Sequence, residues 1–168
     1  MQFYSTNRKT SPVSLREAVV RGLAADRGLF MPEVIRRFPP AFYQNMKEMT
    51  LREISFVVAE AFFGEDVEAG KLKEIVDETL NFDIPLVQVA DNRYSLELFH
   101  GPTLAFKDVG ARFMARLLAY FNKQEGERQV NVLVATSGDT GSAVANGFLD
   151  VPGVKVFVLY PQGKVSEI

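Results

Sequence analysis

Apolar residues recur at helical spacing in three places in the first half of the chain. The first run opens at Ser14-Leu15-Arg16-Glu17, where a hydroxyl can cap an orphan N–H and a glutamate three residues on can reach back. Leu15, Ala18, Val19 and Leu23 then share one face. Thr50-Leu51-Arg52-Glu53 repeats the signature, followed by Leu51, Ile54, Val58, Ala61 and Phe62 on one side and Gly64 as a stop. A third helix is predicted from about Glu68, with Leu72, Ile75, Val76 and Leu80 inward. Pro32, Pro39 and Pro40 interrupt the segment between the first two helices. Residues 1–82 thus read as a helical region.

The period changes near Pro85. LVQVA and YSLELF, separated by DNR, predict two short strands around a turn. Pro102 discourages helix at Gly101 and Thr103 is a candidate N-cap. Phe106, Val109, Phe113, Leu117 and Tyr120 then keep helical spacing. Val130 to Thr136 is a nearly continuous run of apolar, mostly β-branched residues, the pattern of a strand buried on both faces. A glycine-rich turn, SGDTGSAVANGF, leads into a helix, and Val154 to Tyr160 is a second buried strand. Strand, helix, strand predicts a βαβ unit with parallel pairing and a right-handed crossover. The fold class is α/β. Two buried parallel strands need further strands beside them and helices on both faces. The sheet is therefore expected to be incomplete in this chain, which is either an N-terminal piece of a longer protein or completes its sheet with a partner.

Composition narrows the classes of function. Hydrophobic residues make up 47% of the 168 and charged residues 24%, enough apolar surface for a core. A net charge of −2 leaves no electrostatic footprint for nucleic acid. With no cysteine and a single histidine, His100, neither disulfides nor a protein metal site are expected. No apolar run reaches the roughly 20 residues that span a bilayer. The first ten residues, MQFYSTNRKT, lack a signal-peptide core. A cytoplasmic protein without membrane contact is expected.

Two stretches carry candidate chemistry. Ala135 to Ala143, ATSGDTGSA, follows a strand and opens a helix, at the carboxyl end of a parallel strand where open α/β sheets bind ligands. Free N–H groups and the helix dipole favour an anion there. Gly138 and Gly141 allow close backbone approach, and Ser137 and Thr140 offer hydroxyls. The alternative is a capped helix with small residues for tight packing. Asp139 would repel an anion, so it is expected to cap the helix or to accept a hydrogen bond from a ligand donor. The second stretch is GPTLAFKDVG, which sets Lys107 in the first turn of a helix beside Leu104, Ala105 and Phe106. The positive helix end and partial burial both disfavour a charged amine there. A neutral amine can attack a carbonyl and form a Schiff base. The alternative is a solvated surface lysine. His100 lies seven residues earlier as a further candidate, and Arg112 and Arg116 share a face of the Lys107 helix.

Taken together, ELFHGPTLAFKD (97–108) and ATSGDTGSA (135–143) closely resemble the threonine synthase family, pyridoxal-phosphate enzymes of the tryptophan-synthase-β fold type. FYSTN and SLREAVVRGLAADRGLFMP extend the resemblance to the N-terminal region, so it covers essentially the whole chain. It implies a helical N-terminal domain over 1–82, and over 83–168 the first part of a three-layer pyridoxal-phosphate-dependent domain. It implies conversion of O-phospho-L-homoserine and water to L-threonine and phosphate. Lys107 would form the internal aldimine with pyridoxal 5′-phosphate and shuttle protons at the substrate α and β carbons. Phe106 would pack on the cofactor, and Asp139 would stand near its 3′-oxygen. Ser137, Gly138, Thr140 and Gly141 would hold the substrate carboxylate, with His100 beside them. The family's cofactor-phosphate loop, a Ser-Gly-Asn-Phe-Gly type segment, is absent from this sequence. The remainder of the polypeptide is then needed to complete the site, and the 168 residues alone are expected to be inactive. Another lyase of the same fold type, such as a threonine dehydratase, or a non-catalytic binding module that kept the motifs, are the alternatives.

Overall fold

The N-terminal stretch that reads as helical begins in β-structure. The computed structural model describes residues 1–163 except 125, 127 and 137. They fall into two compact units, divided after Asp77. In the first, β1 (Gln2–Ser5), β2 (Val13–Ser14) and β3 (Phe30–Pro32) form an antiparallel sheet with β1 in the middle. Strands this short carry too few alternations for a period-of-two signal. Phe3 and Ser5 of β1 point inward. The buried Ser5 hydroxyl donates to Asp26, whose carboxylate also accepts the N–H groups of Lys9 and Gly28. One carboxylate thereby ties together two loops and the central strand.

α1 (Leu15–Arg21) starts at Ser14, whose hydroxyl accepts the Glu17 N–H at 3.2 Å. Glu17 pairs with Arg21 one turn on and does not reach back to the cap. Gly22, at φ 71°, ends the helix, so Leu23 lies outside it and is exposed, contrary to the predicted face. Pro39 and Pro40 do not simply break the chain. Pro40 opens α2 (Pro40–Asn45), where its missing N–H costs nothing, and a 3₁₀ turn at Met46–Glu48 follows. α3 (Leu51–Phe63) has the full capping box: Thr50 Oγ1 accepts the Glu53 N–H, and Glu53 Oε2 accepts the Thr50 N–H at 2.7 Å. Its predicted face is only half covered, and Leu51 is exposed. α4 (Ala69–Thr79) buries Leu72, Ile75 and Val76 as predicted, and Leu80 is buried just past its end.

The second unit opens with the predicted hairpin, β4 (Leu86–Ala90) against β5 (Arg93–Leu96), turned by Asn92 at φ 56°. α5 (Lys107–Gln124), β6 (Val130–Ala135), α6 (Asp139–Gly147) and β7 (Val154–Leu159) follow. β6 and β7 pair in parallel, in register from Val130–Val154 to Ala135–Leu159. α5 packs on α6, with Gly147 against Ala111. Burial of both strand faces is not met here. Val130, Val132, Val154 and Val156 are half-buried, whereas Leu133, Phe157 and Leu159 are exposed. The described helices cover one side of a sheet that is only two strands wide.

No helix among the described residues is long and apolar enough to cross a membrane.

Candidate active site

α5 begins at Lys107, later than a Thr103 cap would start it. Thr103 does not cap from its own side chain as predicted. Its N–H and hydroxyl both donate to Asp108, the second residue of the helix. The segment before the helix is a tight turn, with the Leu104 N–H donating to the Gly101 carbonyl at 3.0 Å. Leu104 has φ 57° and, with Phe106, faces outward. Lys107 is thus the first helical residue, with 34% of its side chain exposed.

Three residues separate β6 from α6, whose first residue is Asp139. Lys107 Nζ donates to Asp139 Oδ2 at 3.0 Å, which joins two motifs 32 residues apart. The Lys107 ammonium beside it holds the Asp139 carboxyl below its ordinary value of 3.8. A carboxylate lowered in the folded chain contributes its stability above that ordinary value and loses it as the pH falls. We therefore expect a ¹³C titration of the Asp139 carboxyl to show a midpoint below 3.8, returning toward that value in Lys107→Gln. An unchanged midpoint in the variant would exclude the pair in solution. The Phe106 ring centroid lies 5.7 Å from Lys107 Nζ, within cation–π reach.

The loop between β6 and α6 differs from the predicted set of free N–H groups. Thr136 Oγ1 accepts the N–H of Gly138 and of Gly141, each at 3.2 Å, and Asp139 Oδ1 accepts the Thr140 N–H at 2.9 Å. A helix start needs acceptors for its orphan donors, and here Thr136 and Asp139 supply them. Thr136 was missed by the sequence reading, although a threonine at a strand end just before a glycine turn is a recognisable cap position. Gly141 is needed for close approach: a Cβ there would overlap Thr136 Cγ2 and stand 3.4 Å from Val158 Cγ1. Gly138 has open space around it and an extended φ of −177°, so its predicted role in close approach is not seen. Ser137 lies outside the described residues.

At the carboxyl ends of β6 and β7 an open cleft of about 630 Å³ is lined by Ala135, Thr136, Thr140, Leu159, Tyr160 and Pro161. Thr140 is common to the cleft and to the helix turn that holds Asp139. The Leu159-Tyr160-Pro161 wall was not singled out from sequence, because only the parallel register sets it beside Ala135. His100 bonds Glu97 at 2.7 Å and stacks on Phe99, so its polar partner lies on its own segment. Arg112 is not a free cation on the helix face. It donates to the Glu78 and Thr79 carbonyls and to Asn81 Oδ1, and Arg116 pairs with Glu78.

Residues 2–80 match the family described as Threonine synthase N terminus. The whole chain is 42% identical to threonine synthase of Serratia marcescens and 40% identical to that of Escherichia coli, spanning 38% and 39% of their lengths. A crystal structure of PLP-bound threonine synthase from Brucella melitensis superposes with a TM-score of 0.92 at 36% identity, over 99% of this chain and 37% of that one. Threonine synthase from yeast superposes with a TM-score of 0.89 at 35% identity, over 98% of this chain and 36% of that one. Matches of sequence and of fold thus run along the entire chain and agree in kind: the chain is similar throughout to threonine synthases, over somewhat more than a third of their length.

Proposed function

We propose that the polypeptide carrying this sequence converts O-phospho-L-homoserine and water to L-threonine and phosphate, using pyridoxal 5′-phosphate held in part by Lys107. The observation that carries this reading is the 3.0 Å contact between Lys107 Nζ and Asp139 Oδ2, which unites an amine, a carboxylate and a glycine loop at one helix end. The cofactor fits this donor set. Lys107 offers a half-buried amine for an aldehyde, Phe106 an aromatic face beside it, and Asp139 an acceptor for a polar ring substituent. When bound, pyridoxal phosphate supplies an electron sink for charge developing on the substrate α-carbon.

The chain's own groups divide the remaining work. Lys107 Nζ would hold the cofactor and would be the base that removes protons from the substrate α- and β-carbons. As phosphate leaves, the γ-carbon takes up a proton to become the methyl group, water adds its hydroxyl at the β-carbon, and the lysine returns a proton to the α-carbon. Asp139 holds the lysine side chain at the mouth of the β6–α6 loop. The Gly138, Thr140 and Gly141 N–H groups would pass from Thr136 and Asp139 to the substrate carboxylate, an exchange of acceptors that leaves no buried donor unpaired. Phe106 would cover the cofactor ring. In this reading 1–82 is the family's N-terminal domain and 83–168 the beginning of the catalytic one. A dehydratase-like lyase is not favoured, because the relatives that match along the chain are threonine synthases.

The test is borohydride reduction of the polypeptide carrying this sequence in the presence of pyridoxal phosphate, followed by peptide mapping. A pyridoxyl group on Lys107 is expected; its absence there would defeat the assignment.

A further inference from the structure

We propose that Asp108 is a positioning residue for Lys107: with Thr103 it forms the buried anchor of the turn that delivers the lysine. The proposal rests on reading Lys107 as the cofactor-binding amine. Asp108 is completely buried, although it is only the second residue of α5. A polar group out of water persists where its lone pairs are satisfied. Here Oδ2 accepts the Thr103 N–H at 2.9 Å and Oδ1 accepts the Thr103 hydroxyl. Its place in the first helical turn adds the favourable end of the dipole.

The anchor leaves little freedom around it. A Cβ on Gly101 would stand 2.5 Å from Asp108 Oδ2 and 2.9 Å from Phe82 Cζ, so the backbone at 101 is closed down onto the carboxylate. Leu104, between the two clamped points, holds φ 57°, a conformation that persists in a branched residue only where the surroundings over-determine it. Leu104 is 75% exposed and Phe106 is 60% exposed, so these two apolar side chains do not hold the turn in place. Beside the backbone bond from Leu104 to Gly101, its side-chain tie is the Thr103–Asp108 pair.

Neighbouring residues on a helix point in different directions. Asp108 therefore turns inward to Thr103 while Lys107 reaches Asp139. The inward carboxylate fixes the backbone from which the lysine projects and leaves the lysine's own charge to another partner. An interchange of Asp108 with a neutral or apolar residue would keep the helix and lose the aim.

The experiment measures labelling of Lys107 by trinitrobenzenesulfonate in the full chain without cofactor, read at that residue by peptide mass spectrometry. Thr103→Val keeps the N–H and the shape but removes the hydroxyl; Thr103→Ser restores it. Leu118→Ala removes buried bulk from α5 away from the turn and serves as the stability control. All variants are compared at a temperature where each is folded. Thr103→Val and Asp108→Asn are expected to raise Lys107 labelling about threefold, as the exposed ion pair with Asp139 loosens. Thr103→Ser should label like the parent, and Leu118→Ala should unfold at lower temperature with Lys107 labelling unchanged. Parental labelling in Thr103→Val, or the same rise in Leu118→Ala, would overturn the proposal. Should Asp108→Asn not fold, the two Thr103 variants decide alone. The readout needs no cofactor, so a failed borohydride trap at Lys107 would sink the functional reading while the labelling pattern still judged the anchor.

Discussion

Lys107→Ala is expected to remove both the borohydride-trapped pyridoxyl group and turnover from the polypeptide carrying this sequence, with the rate falling about 10⁴-fold or more. Two roles end together, because the atom that captures the cofactor also carries the proton. The fold should survive, since Lys107 is partly exposed and its partner Asp139 is free to hydrate. Lys107→Arg separates charge from nucleophilicity. The guanidinium keeps a cation for Asp139 but does not give up its proton in a protein. Arginine should therefore be as inactive as alanine. Turnover in Lys107→Arg, or trapping at another lysine in Lys107→Ala, would refute the role given to this residue.

The second large effect is expected at Gly141. A methyl group there would overlap Thr136 Cγ2 and stand 3.2 Å from Thr136 Cβ. Thr136 cannot turn aside cheaply. It is β-branched, and its hydroxyl accepts both the Gly138 and Gly141 N–H groups. Gly141→Ala should cost about 1–3 kcal/mol of stability, the usual range for overpacking. It should also displace Asp139 from Lys107, raising the substrate KM and slowing the trap. Gly138→Ala is the contrast, since its methyl would enter open space, and a change within about 0.5 kcal/mol is expected. The double variant Gly141→Ala with Thr136→Ser removes the offending methyl and keeps the hydroxyl, so it should recover most of the loss in urea unfolding. Equal effects at Gly138 and Gly141, or no recovery in the double variant, would show that the Thr136 contact does not govern this loop.

Legibility followed the length over which a pattern repeats. α4 was readable because its inward positions Leu72, Ile75 and Val76 recur on one helical face and are buried, with Leu80 buried just past its end. α3 showed its start through a capping box that the structure forms in full, yet its inward face was overstated, since half-burial depends on what lies opposite. The three strands of the N-terminal sheet were not readable: two to four residues carry no period, and their pairing joins positions as far apart as Phe3 and Pro32.

The candidate site divides in the same way. Lys107, Asp139 and the glycine loop were visible because each belongs to a local motif with its own stereochemistry, and the βαβ order follows from two apolar runs around a helical one. Their mutual contact was not visible. It depends on α5 packing against α6, which brings residues 32 apart in the chain within hydrogen-bond distance. Thr136 as acceptor for the loop and Asp108 as buried anchor escaped for the same reason. By itself the sequence determined the longer elements, the amine at a helix start and the family resemblance, all properties of neighbouring residues or of linear motifs. Only the tertiary structure decided which carboxylate faces the lysine and which is buried beneath it. Those choices are made by backbone closure and by the need to pair every polar group taken out of water.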